Sequence, residues 1–165
     1  MPITANVEGF EQASERMAAR AARVSAALYQ KIFKLCIEVQ TKVQGNLAEG
    51  IGLKSRHGTS GLAGSVRVIE PVTEGTQITG EVQGGGGPTW YGGMWEFTGH
   101  GIIVPVTKRA LHFFANGKEV FTTRVSAQGP RPWMIPPFNE LKPYIAAEIR
   151  ATAIAAAKGE DAAGG

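Results

Sequence analysis

The spacing of apolar residues in the first third of the chain predicts one long α-helix. No Pro or Gly lies between Phe10 and Gln44, and Gly45-Asn46 is a natural end, so we place the helix over residues 8–45. Such a helix spans about 50 Å, more than a compact domain of this size needs. Part of it must therefore project, bend or pack on another subunit. The apolar positions recur every three or four residues and share one helical face, at Met17, Ala21, Val24, Leu28, Ile32, Leu35, Val39 and Val43.

After residue 64 the apolar period changes to two, which predicts an antiparallel sheet of four to five short strands over residues 65–126. A turn at Glu74-Gly75 separates the first two strands. A further strand is predicted from Ile102 to Val106. Asn116-Gly117 lies between two runs of β-forming residues and is the strongest short-range hairpin signal in the chain. Residues 46–64 contain five glycines, so we expect a flexible loop between helix and sheet.

The last third of the chain predicts a proline-stiffened segment followed by a helix. Four prolines lie between Gly129 and Phe138, and apolar positions over 137–158 have helical spacing, with Pro143 in the first regular turn. Residues 159–165 read as a flexible tail. The order helix, sheet, helix predicts a single α+β domain over residues 1–158, with the C-terminal helix packed on the sheet.

Composition restricts the class of protein. The chain has 165 residues, 43% of them hydrophobic, and a net charge of +3, which fits one globular domain. Its one cysteine, Cys36, lies in the helical apolar pattern and reads as a buried side chain. No signal peptide and no run of about 20 apolar residues is present. We therefore expect the chain to fold in a reducing cytoplasm, without contact with a membrane.

Candidate chemistry is sparse. The three histidines and Cys36 lack the spacing of metal ligands, and no cofactor motif occurs, so we expect neither a metal nor a cofactor. Glu96, between Trp95 and Phe97, is the carboxylate with aromatic neighbours. Such a place can produce a general acid, but a helix cap or an ion pair is the favoured interpretation. We expect no enzyme, and a small hydrolase centred on Glu96 is the weaker alternative.

The polar side of the first helix supports a further alternative, a non-specific nucleic-acid-binding protein. Its basic residues could follow phosphates, although Glu8, Glu11 and Glu15 precede them and a solvated face is the favoured interpretation. The basic residues concerned are Arg16, Arg20, Arg23, Lys31 and Lys34.

Motifs along residues 10–155 together resemble one known family, the small neck or tail-completion proteins of long-tailed, lambda-like bacteriophages. The first strand is preceded by Gly61-Leu62-Ala63 and begins at Ser65-Val66. Further matching pieces are Tyr91 to Gly99 with Glu96-Phe97-Thr98-Gly99, then Pro105, Lys108 to Phe113 with Gly117 in the turn, and Pro132-Trp133-Met134 with Pro136.

The resemblance implies a structural virion protein without catalytic residues. Such proteins form a ring, which we expect to be hexameric, at the head–tail junction. The expected partners are further copies of the chain and the neighbouring neck, head-completion and tail-tube or tail-terminator proteins, with DNA passing through the channel. The protein would be made in the host cytoplasm and reside in the virion.

Two sets of residues follow as candidates for contacts. The basic loop residues Lys54, Arg56 and His57 are predicted to face the DNA channel or an acidic neighbour. A ring also accounts for the long helix, because a neighbouring subunit can cover it. The predicted subunit contacts are Leu28, Ile32, Leu35, Phe113, Phe121 and Trp133.

Overall fold

The computed structural model describes residues 9–49, 61–115 and 118–159, and these residues have an α+β organisation. They form four α-helices, a 3-10 turn and four strands. In chain order these are α1 (Phe10–Glu49), α2 (Leu62–Ser65), β1 (Arg67–Glu74), β2 (Gln77–Gln83), the 3-10 turn Gly87–Thr89, α3 (Tyr91–Phe97), β3 (Leu111–Ala115), β4 (Lys118–Thr122) and α4 (Ile135–Lys158).

The strands form two separate antiparallel hairpins, β1–β2 and β3–β4. The predicted single sheet of four to five strands is therefore corrected for the described residues. The predicted turn at Glu74-Gly75 is confirmed, since Gly75 adopts a φ of 60° between β1 and β2. The predicted hairpin around Asn116-Gly117 is confirmed by the pairing of β3 with β4 up to Ala115 and Lys118, while residues 116–117 lie outside the described residues. The predicted strand at Ile102–Val106 makes only one isolated bridge, Ile103 with Val125.

The first helix is longer than predicted, with 40 residues ending at Glu49. Gly45 does not end it, because Val43 and Leu47 on either side are buried and their packing outweighs the weak helix propensity of glycine. A side chain of the same turns also binds α2 and the residue after it, since Gln44 donates hydrogen bonds to the carbonyls of Ala63 (3.1 Å) and Val66 (3.3 Å).

The C-terminal helix over 137–158 is confirmed and begins two residues earlier, at Ile135. Pro136 and Pro137 occupy its first turn, where a missing N–H costs nothing. Pro143, predicted in the first turn, lies inside the helix instead. Packing of this helix on the sheet stays a prediction. The tail predicted over 159–165 lies outside the described residues except for Gly159.

The chain divides into two compact units, each described separately below. The first comprises the described parts of residues 1–40, 68–82 and 140–165. There, α1 contacts both the β1–β2 hairpin and α4. Lys31 pairs with Glu148 at 2.7 Å, and the Tyr29 hydroxyl donates to Glu70 at 3.0 Å. Gly80 allows the hairpin to approach α1, because a Cβ there would lie 2.5 Å from Cγ2 of Ile32.

The second unit comprises the described parts of residues 41–67 and 83–139. Its core contains the end of α1, α2, α3 and the chain before α4. The fully buried side chains include Val43, Leu62 and Val66, together with Leu47 and Trp133. No described helix of either unit has the length and apolar character needed to cross a membrane. The prediction of one domain over residues 1–158 stays a prediction.

Candidate assembly surface

Glu96 in α3 caps the start of α4. Its Oε2 accepts the backbone N–H groups of Trp133 (2.6 Å) and Met134 (2.9 Å), and its Oε1 accepts that of Ile135 (2.9 Å). These groups lie at a helix N-terminus, where N–H groups lack acceptors within the helix and negative charge is favoured. The side chain is only 7% exposed. Of the three roles weighed for Glu96, namely general acid, helix cap and ion pair, helix capping is the one that this geometry supports.

Trp133 fills the space between α3, the end of α1 and the chain after β2. Its ring N–H donates to the Gly92 carbonyl at 2.9 Å, and its own carbonyl accepts from Asn46 at 3.0 Å. A Cβ on Gly84 would lie 2.7 Å from the Trp133 ring. The side chain is 2% exposed. It is a core residue of its own unit, so we remove it from the predicted subunit contacts.

Trp95 fixes the chain that leads from α3 into the extended segment after it. The carbonyl of Trp95 accepts the Arg131 N–H at 2.7 Å, and the Arg131 guanidinium lies 5.6 Å from the indole centroid. The His100 ring meets the same indole edge-on, with centroids 5.2 Å apart. These contacts hold the start of the extended segment against residues 125–131.

Residues 102–106, extended where Ile103 bridges Val125, are an apolar segment that the described part of the chain leaves largely exposed. His100 and Ile103 exchange backbone hydrogen bonds with Gln128 and Val125 at 2.9–3.0 Å. Gly99, with a φ of 67°, passes so close to the Gln128 carbonyl that a Cβ would collide with it. Successive side chains of an extended strand point to opposite sides, yet all of the large apolar ones here are exposed, namely Ile102, Ile103, Val104 and Val106, the last by 95%.

The β3–β4 hairpin presents aromatic side chains to solvent. His112 lies opposite Phe121 in the register, and their rings stack with centroids 4.6 Å apart. Nε2 of His112 is 2.7 Å from the Glu119 carboxylate. Phe113 and Phe121 are both exposed. The two Phe residues predicted as subunit contacts are therefore at the surface of this unit.

The remaining predicted residues fall in different places. Lys54, Arg56 and His57 lie outside the described residues. Leu35 is buried within the first unit, so we remove it from the predicted contacts for the same reason as Trp133. Leu28 and Ile32 are half-buried on α1.

The second unit carries much of the exposed apolar surface among the described residues. Where exposed apolar side chains form a contiguous patch, the patch marks an interaction site or a ligand-binding groove. Besides the extended segment and the two hairpin Phe residues, it exposes Trp90, Phe97, Ile135 and Phe138. Sequence reasoning missed the exposure of residues 102–106. Their signal was a continuous apolar run between Gly101 and Pro105 with no alternating polar face.

Three features of the described residues bear on catalytic chemistry. They contain no group of three His, Cys, Asp or Glu side chains that could hold a metal ion. Cys36 is buried, and this burial raises the pKa of its thiol, which disfavours the reactive thiolate. Both oxygens of Glu96 are occupied by backbone N–H groups.

Comparison of the chain with protein-family models, with curated proteins and with solved structures finds no match.

Proposed function

We propose that the protein is a structural virion component of the phage neck or tail-completion type. Copies of the chain would form a ring, which we take to be hexameric, at the head–tail junction. The ring would join a filled head to a tail and let DNA pass. Its mechanism is binding, to further copies and to neighbouring neck, head-completion and tail proteins, and no catalytic step is part of it.

The observation that carries the proposal is the uncovered apolar segment at residues 102–106. Four large aliphatic side chains exposed within residues 102–106 are costly in water and suit a strand or loop of a neighbouring subunit. Paired backbone hydrogen bonds between Ile103 and Val125 hold the start of this segment in place, so the entropy cost of binding a partner there is lowered.

The family motifs also agree with a structural role. Within the Glu96-Phe97-Thr98-Gly99 motif, Glu96 binds the backbone of Trp133 and Met134 from the Pro132-Trp133-Met134 motif. Two of the pieces that carry the resemblance are therefore in contact within the second unit. Such residues serve packing and positioning rather than a reaction.

Electron microscopy of particles that lack this protein tests the proposal. Separate DNA-filled heads and finished tails are expected. A sharper version replaces Ile102 and Val104 with Asp, and uses Val72→Asp as the matched control, since Val72 is an exposed valine on β1. The double variant should leave heads and tails unjoined while the control produces virions. Normal virions without the protein would refute the proposal.

Non-specific binding of nucleic acid through the polar side of α1 is a second candidate function. Arg16, Arg20, Arg23 and Lys34 are exposed, which favours it, whereas Lys31 is paired with Glu148. A mobility shift of duplex DNA that weakens steeply with salt would support this candidate. Absence of a shift at micromolar protein and physiological salt would exclude it.

A further inference from the structure

The first turns of α1 carry charges that are separated by sign onto two flanks. A helix turns about 100° per residue, so Glu11 and Glu15 share one flank. Arg16, Arg20 and Arg23 share another, roughly 120° away around the axis. All five side chains are exposed. Among the described residues, none of them is in an ion pair.

The spacing of like charges within each flank is unfavourable for an isolated helix, although Glu11 in the first turn complements the helix dipole. Glu11 and Glu15 are four residues apart, as are Arg16 and Arg20, and like charges at that spacing repel. No Glu stands three or four residues before an Arg on these turns, so the favourable pairing that a solvated helix uses is missing. An oppositely charged flank of another molecule would remove both repulsions.

The basic flank borders an apolar groove in the first unit. The groove has a volume of about 610 Å³ and lies between α1 and the β1–β2 turn. Arg20 is the charged residue among the described ones that line it, and the apolar lining comes from Met17, Val24, Leu28 and Ile78. Met17 is mostly exposed. An apolar groove with Arg20 at its edge and Arg16 on the same flank of α1 fits an acidic helix better than a basic or neutral one.

We propose that the groove receives the first turns of α1 from a second copy of this chain, with Glu11 and Glu15 of one copy against Arg16 and Arg20 of the next. Each pair has the same four-residue spacing. Two helices running in the same direction and shifted by about five residues, or roughly 7.5 Å, place both pairs opposite each other at once. This match is the reason to choose a second copy over an unrelated acidic partner.

The contact joins different flanks of the two copies, so it is heterologous rather than two-fold. A heterologous contact closes into a ring or continues as a filament. The inference rests on the proposed function in one respect: we take the repeated contact to close into a ring because the proposed function requires a ring. It identifies the helical face through which neighbouring subunits would meet.

Single-cysteine variants test the contact directly in the full chain. Glu15→Cys and Arg20→Cys, mixed under mild oxidation, should give a disulfide-linked dimer. Either variant alone should give little disulfide-linked dimer, because a heterologous contact does not place a residue next to the same residue of the neighbouring copy. The buried Cys36 does not interfere. Equal yields for the single variants and the mixture would overturn the inference.

Charge reversal provides the second measurement. Arg16→Glu with Arg20→Glu, or Glu11→Arg with Glu15→Arg, should each weaken self-association by about tenfold or more, measured by light scattering. Mixing the two double variants should restore it, since each then supplies the charge that the other lacks. Lys34→Glu with Arg150→Glu is the control of equal net charge, on exposed positions of α1 and α4, and should leave self-association unchanged.

Two further outcomes separate this inference from its rivals. The first outcome has two parts: the arginine reversal abolishes binding to duplex DNA, and the cysteine variants of the otherwise unchanged chain do not cross-link. This outcome would assign the arginine flank to phosphate binding and overturn the inference. In the second outcome, the cysteine variants cross-link as expected, but normal virions form in the absence of the protein. This outcome would support the contact between copies and refute the proposed function.

Discussion

The carboxylate of Glu96 accepts the backbone N–H of Trp133 at 2.6 Å and so ties α3 to the start of α4 across 37 positions of sequence. Two more N–H groups, of Met134 and Ile135, share the same carboxylate. Because the Glu96 side chain is buried, water cannot replace the carboxylate as the acceptor for these three backbone N–H groups. This one residue therefore fixes where α4 begins and, through Trp133, how the core of the second unit is closed.

Glu96→Gln is expected to lower the free energy of unfolding by about 1–3 kcal/mol. The glutamine side chain keeps one acceptor oxygen, but its NH₂ group would face a backbone N–H and leave that donor unsatisfied. Urea unfolding followed by circular dichroism measures the change. Glu74→Gln, at an exposed position of β1, is the control and should have little effect. Equal stability of the two variants would show that the cap contributes nothing.

Two adjacent glycines of α3 provide a second, matched pair of predictions. A Cβ on Gly92 would lie 2.6 Å from Cδ1 of Leu62 and 3.1 Å from the Gly85 Cα, whereas one on Gly93 meets nothing within 4 Å. Gly92→Ala should therefore destabilise by about 1–3 kcal/mol through overpacking. Gly93→Ala should stabilise by roughly 0.5–1 kcal/mol, because alanine loses less backbone entropy in a helix.

Thermal unfolding of both variants checks this pair. The opposite signs matter more than the sizes, since the two positions share a helix and a residue type. Destabilisation by both substitutions would mean that α3 packs differently around Gly93.

The sequence alone predicted the elements whose signal is local. Helical spacing from Met17 to Val43 predicted α1, and Asn116-Gly117 predicted the β3–β4 hairpin. The extension of α1 past Gly45 was missed, because burial of Val43 and Leu47 depends on contacts that are distant in sequence. Propensity is a weak guide where tertiary packing decides.

The same distinction explains the candidate site. An exposed Phe121 and a buried Trp133 are both aromatic residues in an aromatic-rich stretch, and composition cannot separate them. Their surroundings differ. The Trp133 ring N–H donates to the Gly92 carbonyl and the ring packs against Gly84, whereas Phe121 stacks on the His112 ring across the hairpin and is 65% exposed. The role of Glu96 required knowing that residues 133–135 lie within its reach.

Gly45 in α1 provides a third prediction. It lies inside the helix, and a Cβ there would meet no atom within 4 Å. Gly45→Ala should stabilise the protein by about 0.5–1 kcal/mol, because glycine pays more backbone entropy than alanine in a helix interior. Chemical denaturation measures the gain. Gly75→Ala is the contrasting control, since Gly75 has a φ of 60° and open surroundings, so only backbone strain can make that variant less stable.

The first unit should lose stability in alkaline solution. The hydrogen bond with Glu148 raises the pKa of Lys31, and the hydrogen bond with Glu70 raises the pKa of Tyr29. A group whose pKa is raised by folding stabilises the folded state, and this stabilisation is complete at pH values below the group's ordinary pKa, which is 10.5 for Lys and 10.0 for Tyr. That stabilisation disappears as the pH rises through the folded-state pKa. The free energy of unfolding should therefore fall as the pH rises above about 10.

Lys31→Met isolates the lysine contribution to this pH dependence. The side chain of Lys31 is 27% exposed, so its pair with Glu148 should contribute only about 0.2–1 kcal/mol at neutral pH. The difference between Lys31→Met and the wild type should shrink as the lysine of the wild type loses its proton. Lys34→Met, at an exposed position of the same helix, should follow the wild type at every pH. A constant difference between Lys31→Met and wild type across the alkaline range would show that Lys31 acts through packing of its aliphatic stem instead of its charge.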